Sequence, residues 1–440
     1  MLKNVSILGI ARTVSIAFAF AQSVIVARIL GPEAFGTFAL ITAYPSLIFG
    51  ILNVRTTETT TRFLAGFDAR GAHARALSLC QFSYGIDLAV AILAFAVVAL
   101  TASWIGPHIL DDVRLVPLTV VYALSFVSNA FVSSSSGILV VTGKFWLTGG
   151  LDMAGATLRA GLVVALVMMG LGIPGVVYGV VVGNAVLGVS MLVAAHRVAA
   201  VRWGASWLRS GWAELAGQRR EIARFFVFSD LTALLGVAIK NADILILASF
   251  RPPLEIGYYN LGKSITNQLL SLVSAIRVVA FPQVMRMWAQ GEWHAMWRFV
   301  HSHMWTIGVP GTVLVGVLAL VIEPTIELVY GPQFASATLV TRLLLLQVGL
   351  LLLFLWIGMV LTAWGDIHVL LAARAVGSLL VLTIIVVFAP RWGIAAAGIA
   401  LPFQQALTVL ITVMWVYSHR ATRKQEAADR LMTRAIPAVP

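Results

Sequence analysis

The chain has 440 residues, 60% of them hydrophobic and 11% charged, and its mean hydropathy is +0.94. A soluble fold of this length cannot bury so much apolar surface, which excludes a soluble protein and places the surplus against lipid. The net charge of +12 does not indicate nucleic-acid binding, because its distribution is that of a membrane topology signal. The single cysteine, Cys80, excludes an intramolecular disulfide.

The predicted elements are apolar helices. A crossing needs roughly 20 apolar residues, and windows of that length follow one another from Val5 to Tyr417. Continuously apolar runs such as Leu88–Leu100 are typical of lipid-facing helices, whereas the strands of a β-barrel alternate. The sequence therefore predicts an all-α membrane protein with about 12 transmembrane helices, at residues 5–28, 35–58, 76–103, 115–141, 146–169, 175–196, 225–250, 257–281, 299–322, 337–361, 367–389 and 393–418.

An internal repeat divides these helices into two halves. The loop that begins at Gly31 matches the loop at Pro252 at an offset of 221, and later loop motifs match at 221 to 225. The later pairs begin at Gly106 and Gly331, at Thr142 and Trp364, and at Gly172 and Gly393. Four matches in one order predict a duplication. The predicted domains are a six-helix lobe at 1–198, a basic cytoplasmic linker at 199–224, a second lobe at 225–418 and a basic cytoplasmic tail at 419–440.

Two lobes of six helices enter the membrane from the same side. Transporters of this kind place the substrate between pseudo-symmetric halves and alternate its access by rocking one against the other. Of the 30 lysines and arginines, 18 lie on one side of the predicted membrane and 4 on the other. Short basic loops stay in the cytoplasm, so both termini are predicted to be cytoplasmic.

Ionisable residues within the predicted spans are costly and mark functional positions. The basic ones outnumber the acidic ones, which predicts a basic cavity for an anionic substrate; its candidate residues are Arg12, Arg55, Arg159, Lys240, Lys263, Arg277 and Arg374. The candidate acidic partners or coupling residues are Asp87, Asp152 and Asp243. Arginine suits a phosphate or diphosphate, because its planar fork donates two parallel hydrogen bonds.

Some of these charges share a helix face or a repeat position. Asp243 lies three residues from Lys240, and Asp152 lies seven from Arg159, so each pair could equally be a local ion pair that helps its helix insert. Asp152 and Arg374 are related by an offset of 222 and are a candidate pair bridging the two halves.

The loop sequence Ala27–Phe38 resembles the first-loop signature of polysaccharide biosynthesis flippases. These belong to the superfamily of multidrug, oligosaccharidyl-lipid and polysaccharide exporters, which also holds the lipid II flippase. Asp243–Leu247, Ile256–Tyr259 with Phe281-Pro282, and Tyr330–Phe334 are similar to later signatures of the family.

The resemblance implies a V-shaped, MATE-like bundle in the bacterial inner membrane. Its basic cavity would pass an undecaprenyl-diphosphate-linked oligosaccharide from the cytoplasmic to the periplasmic leaflet, for O-antigen, capsule or exopolysaccharide synthesis. Membrane lipids, a polysaccharide polymerase and glycosyltransferases are the implied partners. The first helix lacks the acidic residue of cation-coupled multidrug extruders.

Two other functions stay open at this point. One is a multidrug or small-molecule exporter of the same fold; the other is a membrane polymerase or ligase acting on lipid-linked sugars. An enzyme would need catalytic groups in a sizeable exterior loop, and the exterior segments near 104–114 and 323–336 are short. We therefore predict a transporter with no catalytic residue, metal or cofactor.

Overall fold

The computed structural model describes residues 2–52, 56–109, 115–204, 212–215, 217 and 239–435, apart from the side chains of 2–14, 16, 105, 107–109, 212, 213, 239, 240, 278 and 432–435. These residues form helices and short turns, and no strand occurs among them. The chain divides into two compact units, Met1–Ser249 and Phe250–Pro440. The prediction of an all-α membrane fold is confirmed.

The first unit contains eight described helices. They are α1 Leu2–Leu52, which is interrupted at Gly31, α2 Thr56–Ala69, α3 His73–Ile109, α4 Val116–Ser128, α5 Val132–Val141, α6 Phe145–Leu166, α7 Gly172–Trp203 and α8 Ile239–Ala248.

The second unit contains seven described helices. They are α9 Pro253–Ala289, α10 Trp293–His303, α11 Val309–Leu320, α12 Ile322–Tyr330, α13 Thr338–Ala363, α14 Ile367–Trp392 and α15 Ala395–Ala435.

Nine helical segments of the described residues are long and apolar enough to cross a membrane. Two of them are double, because Ala17–Ala69 takes in the first two predicted spans from residue 17 onward and Phe145–Trp203 takes in the fifth and sixth. Most of the seventh predicted span, 225–250, lies outside the described residues. The nine described segments therefore account for eleven of the twelve predicted spans. The helix α8 belongs to the remaining span, 225–250.

The fourth predicted span, 115–141, corresponds to the apolar segment Val116–Val141, but this segment consists of two helices and not one. The chain turns at Asn129–Phe131 between α4 and α5, and a run of serines follows from Ser133 to Ser136. Serine and asparagine side chains compete for backbone hydrogen bonds and weaken a continuous helix. The break places the serine hydroxyls of α5 inside the first unit, where Ser134 and Ser135 are fully buried.

Glycines in the left-handed region mark the same turns in both units. Gly71, Gly143 and Gly172 have φ of 65°, 74° and 57° in the first unit. Their counterparts 220 to 222 residues later, Gly291, Gly365 and Gly393, have φ of 73°, 89° and 58°. Only glycine adopts such angles readily. Equivalent turns therefore recur at the spacing of the sequence repeat.

In each unit, side chains of the last long helix also contact the region of the turn that follows the unit's second predicted span. In the first unit, the Arg202 guanidinium donates to both Asp68 carboxylate oxygens at 3.1 Å, and Trp203 Nε1 donates to Asp68 at 2.9 Å. In the second, Arg430 lies 4.7 Å from the Trp288 ring centroid. Each last helix thereby holds a turn of its own unit.

The basic segment after residue 418 is not separate from the last span. It continues α15 without a break to Ala435 and packs on its own unit. Arg423 donates to Asp366 at 2.6 Å, and the Arg420 guanidinium lies 5.3 Å from the Trp297 ring centroid. These arginines are therefore engaged by protein groups.

Candidate functional site

The structure describes the side chains of seven of the ten predicted site residues. Arg12 and Lys240 lie in α1 and α8 with side chains outside the described part of the chain, and Arg55 lies outside the described residues altogether. The ion pair expected between Lys240 and Asp243 therefore stays a prediction. Asp243 itself is 2% exposed, and its carboxylate accepts a hydrogen bond from the backbone N–H of Ile244 at 2.8 Å.

Two of the predicted basic residues meet in one cavity of the second unit. Arg277 comes from α9 and Arg374 from α14, although they are 97 residues apart in sequence. The remaining lining comes from α13, α14 and α15; it comprises Leu351, Phe354, Leu355, Gly358, Leu370, Gln405, Thr408, Val409 and Thr412. The cavity encloses about 50 Å³, and Arg374 is exposed at its edge.

The side chains of the two arginines of this cavity form no ion pair or hydrogen bond with the described residues of their own unit. The two positive charges act on each other electrostatically. A guanidinium carries five N–H donors and remains charged. Unpaired charge within membrane-spanning helices is costly. Two such groups in the lining of one cavity offer N–H donors to an anion.

Sequence reasoning missed the polar residues that surround this pair. Gln405, Thr408 and Thr412 recur at helical spacing on one side of α15 within an apolar span, which was the available signal. The Thr408 and Thr412 hydroxyls donate to the carbonyl oxygens four residues before them, at 2.9 and 2.8 Å. Their oxygens add a neutral polar wall to the cavity.

A second cavity of the same unit is almost wholly apolar. It measures about 560 Å³ and lies among α11, α13 and α15. Residues 343–353 of α13 and 399–406 of α15 line it, whereas residues 351–358 and 405–412 of the same helices line the arginine cavity. The helices α13 and α15 therefore border both cavities, and the two arginines come from α9 and α14.

The other basic candidates stand apart from that arginine pair. Arg159 of α6 donates to the side-chain oxygen of Asn184 on α7 at 3.0 Å. The ion pair that spacing allowed with Asp152 does not form among the described residues, and Asp152 is exposed. Seven residues place the two about 10 Å apart along the helix, and Asn184 is closer because α7 packs tightly at Gly183.

Lys263 lies on α9, with its ammonium 5.8 Å from the ring centroid of Tyr259. Its position is about 21 Å along the helix from Arg277. Arg342, a further basic residue in a predicted span, donates to the carbonyl of Ala319 at 3.0 Å and pairs with Glu323 at 3.3 Å. The basic residues of the predicted spans whose side chains are described therefore fall into two groups: Arg159, Lys263 and Arg342 contact protein groups, and Arg277 and Arg374 line one cavity.

Asp87 is the centre of a buried polar cluster in the first unit. It is 7% exposed, and its carboxylate accepts from the Ser134 hydroxyl at 2.5 Å and from the Ser134 backbone N–H at 3.3 Å. Tyr84 and Ser135 share a hydrogen bond of 2.8 Å beside it, and Thr60 donates to Ser83 at 2.9 Å. The sequence predicted Asp87 but not these hydroxyls, because α5 is remote in sequence.

Comparison with known proteins gives a family. Residues 25–339 match the model of the family described as Polysaccharide biosynthesis protein. The chain belongs to this family. No curated protein sequence matches it.

The fold of this family member resembles solved transporters. An inward-facing multidrug resistance MATE transporter of the MOP superfamily is 13% identical, with a TM-score of 0.73 over 94% of this chain and 96% of the other. The lipid II flippase MurJ in an inward closed conformation is 12% identical, with a TM-score of 0.70 over 100% and 94%. A mutant of the Vibrio cholerae MATE transporter VcmN is 17% identical, with 0.62 over 95% and 96%. The expected fold is confirmed, and the protein is a multi-pass membrane protein with the fold of transporters and flippases.

Proposed function

We propose that this protein is a flippase for an undecaprenyl-diphosphate-linked oligosaccharide. It moves this lipid from the cytoplasmic to the periplasmic leaflet of the bacterial inner membrane by alternating access, during synthesis of a cell-surface polysaccharide. The observation that carries the proposal is the pair of arginines, Arg277 and Arg374, without an ion-pair partner among the described residues of their unit, in a cavity of membrane-spanning helices. A diphosphate offers the oxygens that a guanidinium binds best.

The second unit also suits a lipid-linked molecule. Two of the helices that line the arginine cavity, α13 and α15, also line the apolar cavity of about 560 Å³. An amphiphile with a charged head and a hydrocarbon tail needs both kinds of surface. The family supports a role in polysaccharide biosynthesis, whereas a drug exporter would have no need of two unpaired arginines for cationic drugs. Polymerase and glycosyltransferases of the same pathway are the proposed partners.

The test is a flipping assay in proteoliposomes with labelled undecaprenyl-diphosphate oligosaccharide. We expect Arg277→Gln and Arg374→Gln each to lower the rate about tenfold, the effect of losing roughly 1.4 kcal/mol of binding, and the double variant to lower it further. Arg342→Gln is the matched control, because it removes an arginine that already has Glu323 and a carbonyl as partners.

Two results would contradict the proposal. One is a wild-type protein that does not flip the lipid, and the other is a double variant that flips it at the wild-type rate. Efflux of a cationic dye by the wild type, without lipid flipping, would favour the exporter instead.

A further inference from the structure

One end of the second unit presents basic residues that its own packing leaves without a contact. Arg298 lies on α10 and Lys424 on α15, and both side chains are exposed. Neither forms an ion pair or a hydrogen bond with the described residues of the second unit. Arg423 and Arg430, on the same helix as Lys424, differ because both bond to Glu426. Arg298 and Lys424 can therefore bind a partner from outside the unit.

A third basic residue joins the two helices at this surface. The guanidinium of Arg420, on α15, lies 5.3 Å from the ring centroid of Trp297, on α10, and Arg298 is the residue next to that tryptophan. Arg420 is itself exposed. A guanidinium held against an aromatic ring still has N–H donors for an anion. Arg298, Arg420 and Lys424 together are called the α10–α15 surface below.

The scaffold that the two units share does not require these charges. The glycines of the turns that precede the equivalent helices lie 220 residues apart for α3 and α10, and 221 apart for α7 and α15. At these spacings the first unit has Ser78, Ala199 and Trp203 in place of the three basic residues. All three are buried, with exposures of 0%, 0% and 3%. The equivalent surface is thus packed inside the first unit, whereas in the second it is open and basic.

The residues next to the α10–α15 surface are those expected at a boundary between lipid and water. In the segment Trp293–Leu320 the exposed apolar residue Leu314 is followed, towards α10, by Trp305, which is 57% exposed. On α15 the exposed Met414 is followed by Tyr417, which is 67% exposed. Tryptophan and tyrosine are enriched at the level of the lipid headgroups. Seven residues beyond each of them, about 10 Å along the helix, lies a basic residue of the surface.

We propose that the α10–α15 surface binds the phosphate of an anionic phospholipid, such as phosphatidylglycerol, in the leaflet that it contacts. The phosphate oxygens accept hydrogen bonds from Arg298, Arg420 and Lys424, and the acyl chains lie against the exposed apolar residues of α11 and α15. Basic clusters next to membrane-spanning helices attract anionic lipids. An acidic protein fits less well, because both helices continue from this surface into apolar, exposed segments. The inference requires no particular transport substrate.

The test is equilibrium binding of fluorescently labelled phosphatidylglycerol to the purified full-length protein in micelles of a neutral detergent. Arg298→Gln with Lys424→Gln is the main variant, because neither side chain bonds to the described residues of its unit. A basic residue near anionic lipid strengthens binding about fivefold, so we expect the Kd of this variant to rise roughly 25-fold. Arg420→Gln alone should raise the Kd about fivefold. Labelled phosphatidylcholine should bind the wild type more weakly than phosphatidylglycerol does.

The matched control is Arg75→Gln with Arg197→Gln in the first unit. Both arginines are exposed and form no ion pair or hydrogen bond with the described residues of that unit. Their replacement removes the same charge as the main variant, and we expect the Kd to stay close to that of the wild type. Equal melting temperatures of the two double variants check that both are folded.

Several results would overturn the site. They are an unchanged Kd in the variant of Arg298 and Lys424, an equal rise of the Kd in the control, equally tight binding of phosphatidylcholine, and displacement of the lipid by inorganic phosphate at constant ionic strength. Displacement by polyglutamate would also overturn it and make the surface a docking site for an acidic protein. Failure of lipid flipping in the wild type would overturn the proposed function but leave this binding result standing.

Discussion

The two units share a scaffold and differ in the charged residues that their membrane-spanning helices leave without an ion pair inside the unit. In the first unit, the buried acid Asp87 has no ion-pair partner among the described residues of that unit and accepts hydrogen bonds from Ser134. In the second, the half-buried Arg277 and the exposed Arg374 line one cavity and have no ion-pair partner among the described residues of that unit. The turns recur at an offset of 220 to 222 residues, marked by glycines with positive φ. The repeat thus sets where the chain turns, and substitutions within the helices give each unit its own chemistry.

The packing of α6 against α7 also differs from that of α14 against α15, although the repeat relates the two helix pairs. α7 approaches α6 through Gly175, Gly179 and Gly183, and a Cβ on Gly179 would lie 2.8 Å from the backbone nitrogen of Val163. The positions 221 residues later belong to α15, which packs on α14, and they hold larger residues: Ala396, Ala400 and Gln404. Helices in membranes approach closely where residues are small. The first unit therefore packs this helix pair through glycines on its second helix, whereas the second unit has larger residues at the matching positions.

The largest effect that we expect is a loss of folded protein, and it follows from this difference in helix packing. Gly179→Val places a branched side chain against the backbone of α6, where a single Cβ already comes to 2.7 Å from Val163. Because backbone cannot move aside as a flexible side chain does, we expect folded protein to be lost, measured as monodisperse yield in detergent. Ala400→Gly, at the matching position, should cost only about 1 kcal/mol.

The control for the glycine variant is Gly161→Val. Gly161 lies on α6 of the same pair, and a Cβ added to it would have no other atom of the described residues within 4 Å. It should give a normal yield. A normal yield from Gly179→Val as well would show that the two helix pairs do not differ in this way.

We expect a smaller effect, on the melting temperature, from replacing the carboxylates that bind the last long helix of each unit, Asp68 for α7 and Asp366 for α15. Asp366 is 6% exposed and accepts from Arg423 and from Trp415, at 2.6 and 3.1 Å. Asp68 accepts from Arg202, whose side chain is 59% exposed. Solvent weakens exposed ion pairs, whereas hydrogen bonds to buried charge contribute about 2 kcal/mol. We expect Asp366→Asn to lower the melting temperature more than Asp68→Asn, as measured by the thermal stability of the detergent-solubilised protein; equal shifts would contradict this order.

Much of the scaffold could be predicted from the sequence. Hydropathy predicted the spans, and matching loop motifs predicted the repeat. Both can be read from short stretches of sequence without knowledge of the contacts between helices. The break between α4 and α5 was missed, since Asn129 and the serines after it lie in a stretch apolar enough to read as one helix. The continuation of α15 to Ala435 was missed because its arginines bind tryptophans distant in sequence.

The sequence predicted which charged residues belong to the candidate site, but not which of them contact one another. Charge in a span identified Arg277, Arg374 and Asp87, because such residues are costly in lipid whatever surrounds them. Which charges are partnered depends on contacts between helices. Arg159 bonds to Asn184 and not to Asp152, because the glycines of α7 bring that helix close. The bridge between Asp152 and Arg374 stays a prediction.

The claim that the second unit supplies the anion site is tested most directly by equilibrium binding. Undecaprenyl diphosphate without sugar is titrated into the purified protein in nanodiscs, comparing wild type, Arg277→Gln with Arg374→Gln, and Asp87→Asn. We predict a Kd at least about tenfold weaker for the double arginine variant, equivalent to roughly 1.4 kcal/mol or more, and a Kd close to that of the wild type for Asp87→Asn. An unchanged Kd in the double arginine variant would contradict this division between the two units.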